Sequence, residues 1–338
     1  MRELTQHMFM PEYTITPAIL SSISTIEYGK AVIDNTTILP VWERQLQKDA
    51  LIKTLQNTLA LLGTNIETQT VKAIVDGLTK ANTPFLQNMQ NTIAETNTAA
   101  INNELHEEEL KKFHKLLTQN VLTETKQGAY RTIRQPHHTN PIEVLAKIVQ
   151  LFDWYNSLDA KETHPVITSA ILRAQLELIK PFENYNEVVA NLTVYTSLKS
   201  KGYGFKKYIS LEDYFYKTKR DYEKAITGIT ANADVDFTSW LEYFCEGVAY
   251  DVSNVSEKVK LLVRDTKIAK ATGRVRLSQR QERIVEYLQD YGVLQNKDFP
   301  MVFPSVSEDS VLRDLKVLLD KGIIQKSGST KSSRYELS

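Results

Sequence analysis

The chain of 338 residues contains little cysteine and no long apolar run. Its one thiol, Cys245, cannot form an internal disulfide, which fits a reducing compartment. The surrounding stretch, WLEYFCEGVAY, has helical apolar spacing and favours a buried thiol over a reactive one. No segment approaches the ~20 apolar residues of a membrane span, and the N-terminal stretch has no apolar run of signal-peptide length. We therefore expect a soluble, cytoplasmic protein without membrane contact.

The chain also has no net charge and none of the common catalytic motifs. The 41 basic and 41 acidic residues cancel, so nucleic acid would have to bind at a local patch. Neither a Walker loop, a dinucleotide fingerprint nor a Ser-His-Asp arrangement is evident. His137 and His138 have no cysteine or carboxylate nearby at ligand spacing, so we expect no metal site. We expect His106, His114 and His164 to lie on the surface or to cap helices.

Helical periodicity is present along most of the chain. The length predicts two or three domains. Thr83 and Pro84, for example, have the residue types of an N-cap and a first helical position. Alternating strand and helix patterns are absent, so we expect a mainly α-helical fold without a parallel sheet. The stretch from Tyr130 to Gln135 predicts one short strand or hairpin.

The C-terminal 60 or so residues have a different pattern, in which helices precede two short strands. A stretch rich in basic and turn residues, 267–279, predicts a linker before them. The helices SQRQERIVEYLQDYG and VSEDSVLRDLKVLLDKG and the strands IIQKSG and SSRYEL are typical of a winged helix-turn-helix. Glu308 and Asp309 would repel DNA phosphates, so protein contact or dimerisation remains an alternative to DNA binding. The candidate DNA contacts are Arg313, Lys316, Lys326, Lys331 and Arg334, and the linker region adds Lys267, Lys270, Arg274, Arg276 and Arg280.

Several stretches in the same order along the chain resemble the Fic (Fido) family, which includes proteins that transfer AMP from ATP to a hydroxyl side chain. They are YTITPAILSSI, ELHEEELKKFHKLL, GAYRT, NPIEVLAKIVQLFDWYN, HPVITSAILRAQLELIKPF, ISLEDYFYKTKRDYEKAI and FTSWLEYFCEGVA. The resemblance implies a mainly α Fic fold with a short β-hairpin flap. It also implies an N-terminal helical part at 1–110, a core at 111–265, a linker at 266–277 and a winged helix at 278–338.

The junction KPFENYNEVVAN aligns with the family's active loop, HPFx[D/E]GNGRxxR. In that loop the histidine is a general base and the acidic residue holds Mg²⁺ on the nucleotide phosphates. The glycines let backbone N–H groups approach the phosphates, and the first arginine binds phosphate oxygens in a fork. The resemblance therefore implies ATP with Mg²⁺ as the ligand of an intact loop.

This chain departs from the loop motif at most of its functional positions. Lys180 replaces the histidine, and Asn184 replaces the acidic residue without its charge. Tyr185 and Glu187 place side chains where the glycines would be, and Val188 replaces the arginine. Losing the base alone would cost about 10²–10⁴-fold in rate. The residues that we expect to contact any ligand bound here are Lys180, Phe182, Asn184, Asn186, Glu187 and Val188.

The inhibitory helix of many family members, [S/T]xxxE[G/N], aligns with TLALLG. Thr58 and Gly63 match, whereas Leu62 replaces the glutamate that would pair with the loop arginine. Leu62 and Val188 thus substitute both partners of one ion pair, which predicts a repacked, apolar site.

We therefore expect a Fic-fold regulator that acts by binding DNA or protein, with no catalytic residue and no cofactor assigned. The alternative is an AMP transferase, or another nucleotidyl or phosphoryl transferase, that uses ATP with an altered loop in which Lys180 clamps phosphate. A protein partner at the flap and a homodimer both remain open.

Overall fold

The computed structural model describes residues 9–99, 104–135, 139–230, 235–271, 277–304, 306–328 and 333–337. Within these residues the helices are α1 (Pro17–Asn35), α2 (Pro40–Leu61), α3 (Thr68–Val75), α4 (Pro84–Ala99), α5 (Glu107–Thr118), α6 (Pro141–Tyr155), α7 (Leu158–Glu162), α8 (Pro165–Ile179), α9 (Asn186–Ser200), α10 (Leu211–Lys217), α11 (Lys219–Thr230), α12 (Thr238–Ala271), α13 (Gln279–Tyr291), α14 (Phe299–Val302) and α15 (Glu308–Asp320). The strands are β1 (Val293–Gln295), β2 (Ile324–Ser327) and β3 (Arg334–Leu337). The prediction of a mainly α fold is confirmed. No helix in the described part of the chain is long and apolar enough to cross a membrane.

Helix starts follow the local sequence closely. Five helices begin at a proline, where the missing N–H would have had no helical partner. The predicted cap at Thr83 is present, because its hydroxyl accepts a hydrogen bond from the Leu86 N–H at 3.3 Å. Asn140 accepts in the same way from the Ile142 N–H at 3.3 Å. These starts are set by local chemistry, and the one at Thr83 and Pro84 was predicted from the sequence.

Contacts divide the chain into two units, Met1–Asp34 with Lys48–Ser256, and Asn35–Gln47 with Glu257–Ser338. In the first unit α8 and α9 pack along each other, with α4, α5 and α6 against them. Trp240 is fully buried and lies within 6.5 Å, centroid to centroid, of Phe215 and Phe244. Cys245 is also fully buried, and burial raises the pKa of its thiol to about 12. The predicted burial of the Cys245 thiol is observed.

The helix α12 extends to Ala271 and so covers the first part of the range predicted as a linker, 266–277. Its sequence contains no glycine or proline between Gly247 and Gly273 that would end a helix. The backbone of Arg274 and Arg276 and the side chains of Lys267 and Lys270 lie outside the described residues.

The second unit contains α13, α14 and α15 and an antiparallel sheet in the order β1-β3-β2. The two predicted C-terminal strands are present, and β1 adds a third that we did not predict. Leu288, Leu315 and Ile324 belong to the apolar core of this unit. Arg280, which we had grouped with the linker, pairs with the Asp314 carboxylate at 2.6 Å.

Candidate functional site

The loop between α8 and α9 turns sharply at both ends. The N–H of Lys180 bonds to the Leu176 carbonyl at 2.9 Å, and Lys180 ends α8 with a φ of +42°. Tyr185 begins α9 with a φ of +59°. Both angles lie in the left-handed region that glycine tolerates best. At Tyr185 the backbone therefore has the conformation expected of the glycine that this residue replaces in the aligned motif.

Asn186 holds the loop closed. Its side-chain carbonyl accepts from the Phe182 N–H at 2.8 Å, and its amide donates to the Phe182 carbonyl at 2.8 Å. Phe182 is fully buried, whereas Asn184 is exposed. Asn186 thus has both its amide groups committed to the backbone of the loop. Of these three predicted ligand contacts, Asn184 is exposed, Asn186 is half-buried and Phe182 is buried.

His114 supports Phe182 from below, and the structure places it differently from our expectation. Its ring stacks on the Phe182 ring at a centroid distance of 3.9 Å, and the residue is buried rather than exposed or capping. Its Nδ1 accepts a hydrogen bond from the Gly128 N–H at 2.9 Å, so in the neutral ring the proton is on Nε2. Burial lowers the pKa of His114 to about 4, although the Asn184 backbone partly opposes this. His164 does cap a helix as expected, because its Nδ1 accepts from the Val166 N–H at 3.2 Å.

Arg131 connects the flap segment, residues 128–135, to the α8–α9 loop through hydrogen bonds. Its Nε donates to the Lys180 carbonyl at 2.7 Å and its Nη2 to the Ile179 carbonyl at 3.2 Å. Its guanidinium also donates to the carbonyls of Ile133 and Thr139. A cation here matches the partial negative charge at the C-terminal end of α8. Our sequence reasoning did not single out Arg131.

The strand predicted near Tyr130–Gln135 is not found among the described residues 128–135. The backbone N–H of Arg131 instead bonds to the Pro181 carbonyl at 2.9 Å, so this segment pairs with the loop rather than with a strand. His137 and His138 lie outside the described residues.

A buried charged network begins at Lys180 and runs beneath the loop. The Lys180 ammonium pairs with Glu177 at 2.8 Å, and Glu177 pairs with Arg173 at 3.0 Å. Arg173 is fully buried and also donates to the Asn191 side-chain oxygen at 2.8 Å and the Tyr222 hydroxyl at 2.7 Å. Burial opposes ionisation of Glu177, yet the two cations hold its pKa below the usual value. Both cations therefore have a partner inside the protein.

The network continues into the core through Asn191. Its amide donates to one oxygen of Glu212 at 3.0 Å, and the Tyr195 hydroxyl donates to the other at 2.6 Å. Glu212 is buried, and desolvation raises the pKa of its carboxyl despite these two donors. Neither Arg173 nor Glu212 was identified from the sequence. The available indication in the sequence was the presence of two charged residues, Arg173 and Glu177, in the mostly apolar helix PVITSAILRAQLELI.

Glu187 lies in the first turn of α9 and stands apart from this network. No described residue forms an ion pair or hydrogen bond with its carboxylate. Burial and the nearby Glu177 raise the pKa of Glu187, and the charges of Arg173 and Lys180 only partly oppose this. This is the one charged side chain of the loop motif for which the described residues provide no partner.

A recess beside Glu187 brings the predicted inhibitory-helix residues to the loop. The recess is shallow, and its interior has room for about one water-sized group, far less than most small-molecule pockets. Leu62 is 37% exposed, and Gly63, just after the end of α2, has a φ of +84°. The lining residues are Thr58, Leu61, Leu62, Glu187, Val188, Asn191 and Tyr222.

In the second unit the candidate DNA contacts are exposed wherever they are described. Arg313 and Lys316 lie on α15, Lys326 on β2 and Arg334 on β3. None of these four forms an ion pair with a carboxylate among the described residues. Arg334 pairs in register with Ser327, so it points to the opposite sheet face from Lys326. Lys331 lies outside the described residues.

Comparison with known proteins supports the fold through structure alone. No protein-family model and no curated protein matches the sequence. A Fic family protein from Desulfovibrio desulfuricans G20 matches with a TM-score of 0.60 and 20% identity, covering 98% of each chain. A Fic domain containing signaling protein from Bacteroides thetaiotaomicron matches 74% of this chain and 98% of its own length, with a TM-score of 0.56 and 19% identity. Fic-1 from C. elegans matches 74% of each chain, with a TM-score of 0.59 and 16% identity. These similarities show that the chain has the Fic fold.

Proposed function

We propose that this Fic-fold chain binds a partner at its α8–α9 loop and does not carry out conventional AMP transfer. The observation that carries the proposal is the unpaired carboxylate of Glu187 in the first turn of α9. A helix N-terminus attracts anions, and at α9 the carboxylate of Glu187 already occupies this favourable position. A triphosphate entering the same place would meet a negative charge of the protein itself.

The remaining loop positions support the same conclusion. Lys180 pairs with Glu177 at 2.8 Å, and a protonated ammonium cannot accept the proton of a target hydroxyl. Val188 is 4% exposed and brings no charge. The guanidinium of Arg173 is fully buried and bonded to Asn191, Glu177 and Tyr222. The guanidinium of Arg131 is bonded to backbone carbonyls. At the aligned positions of the base and the first arginine, Lys180 and Val188 thus provide neither a proton acceptor nor a phosphate clamp.

The test is to measure ATP with Mg²⁺ in a thermal shift assay and to look for labelled AMP on any protein. We expect no change in Tm and no label with the native chain. A variant with Lys180→His, Tyr185→Gly, Glu187→Gly and Val188→Arg serves as the matched positive control. If the native chain transfers label, it is an AMP transferase with an altered loop and the binding role is wrong.

We propose further that the second unit is a winged helix that binds DNA through Arg313, Lys316, Lys326, Lys331 and Arg334. The helices and antiparallel sheet have the order that this module requires. The four described cations are exposed and lack carboxylate partners among the described residues, so each is available to a phosphate. Arg280, which pairs with Asp314, is not among these available cations.

A gel-shift titration with mixed duplex DNA at several salt concentrations tests this role. We expect binding that weakens steeply with salt, and a smaller salt dependence when Arg313 and Lys316 are both replaced by alanine. Lys297→Ala, an exposed lysine of the same unit, is the matched control. Absence of binding at low salt would leave protein contact as the role of this unit.

A further inference from the structure

Two polar groups that face the recess beside α9 lack hydrogen-bond partners in the described protein. One is the Glu187 carboxylate. The other is the Thr58 hydroxyl on α2. Thr58 is only 3% exposed, and its Oγ1 has no hydrogen-bond partner among the described residues. A buried hydroxyl without a partner is uncommon and indicates that a ligand or water bonds to it. Each of these groups can accept a hydrogen bond, and both belong to residues that line the recess.

The other walls of the recess are mostly apolar. Leu61, Leu62 and Val188 contribute aliphatic side chains. Asn191 and Tyr222 also line it, but each is already an acceptor for Arg173. The recess thus combines an aliphatic wall with an end that accepts hydrogen bonds and is negatively charged. A short alkyl chain carrying a cationic donor matches both parts.

The charges around the recess also favour a cation over an anion. Lys180 and Arg173 each pair with Glu177, at 2.8 and 3.0 Å, and neither forms an ion pair with Glu187, although the charges of both partly offset the rise in the pKa of its carboxyl. The C-terminal end of α2 contributes partial negative charge beside Thr58. A phosphate would be repelled by Glu187, whereas an ammonium would form an ion pair with its carboxylate.

We propose that this recess binds a primary alkylammonium group, with the ammonium donating to Glu187 and Thr58 and the alkyl chain against Leu61, Leu62 and Val188. The proposal rests on the binding role proposed above and names the chemistry of its ligand. That ammonium can belong to a lysine side chain of a partner protein or to a free aliphatic amine. The same chemistry recognises both, and the experiment separates them.

The experiment is a titration of the full chain with n-butylammonium chloride, followed by NMR shifts of α2 and α9 amides. We expect saturable binding by the native protein and at least about tenfold weaker binding by Glu187→Gln, because a charge-assisted hydrogen bond is lost. Glu183→Gln is the matched control, since Glu183 lies in the same loop, pairs with Lys126 at 2.6 Å and does not line the recess. Circular dichroism melting confirms that each variant is folded.

The neutral analogue n-butanol and the variant Thr58→Val complete the test. We expect n-butanol to bind the native protein about tenfold more weakly than n-butylammonium. We expect Thr58→Val to weaken the binding of n-butylammonium but not that of n-butanol. Tighter binding of Nα-acetyl-lysine methylamide than of n-butylammonium identifies a protein lysine as the natural group, and weaker binding identifies a free amine. Equal n-butylammonium affinity in Glu187→Gln and the native protein would overturn the site.

The ATP measurement keeps the two proposals separate. If neither ATP nor n-butylammonium binds, the ammonium site is wrong and the loss of AMP transfer still stands. If ATP binds and label is transferred while n-butylammonium does not bind, both proposals fail.

Discussion

His114 illustrates at the scale of one residue how the loop is held from beneath. The ring stacks on Phe182 and accepts from Gly128, so the neutral tautomer is the one that fits. Protonation would put a hydrogen on the Nδ1 atom that must accept, and would place a charge in the core. The position of Phe182, and with it the loop, therefore depends on an uncharged histidine.

We predict that His114 makes the fold less stable as the pH falls from about 6.5 to about 4. Because its pKa is lowered to about 4 in the fold, the unfolded chain binds the proton more readily over this range. The expected loss is roughly 3 kcal/mol by pH 4, measured by urea unfolding. His114→Gln should remove this part of the pH dependence, whereas His106→Gln, at an exposed position, should retain it.

Asp251 is predicted to contribute with the opposite sign. Burial raises the pKa of its carboxyl to about 6, so its stabilising effect is complete below about pH 3.8 and is lost as the pH rises through 6. Asp251→Asn keeps an acceptor for the Ser210 N–H, which lies 3.0 Å from the carboxylate. Relative to the native chain, this variant should therefore gain up to roughly 3 kcal/mol between pH 4 and pH 8. A constant difference across that range would contradict the buried, protonated carboxyl.

Tyr185 carries the other residue-scale prediction. Its φ of +59° is strained for a side chain with a Cβ, and its ring stacks on Phe85 at 4.7 Å. Both Tyr185→Ala and Tyr185→Gly lose the stacking, but only glycine relieves the strain. We expect the glycine variant to be more stable than the alanine variant by roughly 1 kcal/mol in urea unfolding. Alanine equal to or better than glycine would argue against the left-handed conformation.

At the scale of elements, α8 and α9 need an outside residue to fix the turn between them. Arg131 donates to carbonyls at the end of α8 and in the flap segment, and its own N–H bonds to Pro181. Helix ends leave carbonyl groups without helical partners, and burial makes each of them costly unless it is bonded. The loop geometry is thus determined jointly by two segments that are about 50 residues apart in the chain.

We predict that Arg131→Met destabilises the first unit by about 2–4 kcal/mol, because several buried carbonyls lose their donor. Arg131→Lys should recover only part of this loss, since one ammonium cannot reach the same set of carbonyls. The control Arg220→Met, at an exposed position of α11, should stay within about 0.5 kcal/mol of the native chain. Urea unfolding gives the energies, and hydrogen exchange of residues 180–185 shows whether the loop itself opens.

At the scale of the whole molecule, the chain has two cores, and each is built from segments that are separate in the sequence. The first excludes residues 35–47, which belong with the C-terminal segment. Local pattern gives no indication of this exchange, because α2 reads as one uninterrupted helix. Only the contacts that a helix makes along its length decide to which core each part belongs.

We predict that the two cores lose protection separately. Leu315→Ala removes a fully buried side chain from the second unit, and Leu172→Ala removes one from α8 in the first. Each change should cost its own unit about 2–5 kcal/mol. Hydrogen exchange read by mass spectrometry should show faster exchange confined to the altered unit. Equal acceleration in both units for either variant would mean that the chain opens as one body.

The sequence by itself determined the mainly helical fold, the cap at Thr83, the buried Cys245 and the two C-terminal strands. Each of these features depends on side-chain periodicity or on residues within a few positions of one another, and both are visible in the sequence. The Fic fold was also predictable, because several stretches in the right order resemble that family.

Only the tertiary structure decided which groups pair with the charged side chains in and beneath the α8–α9 loop. It placed Glu177 between Arg173 and Lys180, left Glu187 without a partner among the described residues, and brought Thr58 to the same recess. It also buried His114 and directed Arg131 to the loop instead of to a strand. The pairing of a charge depends on which groups meet in space and on how much water is removed from them, and neither follows from neighbours along the chain.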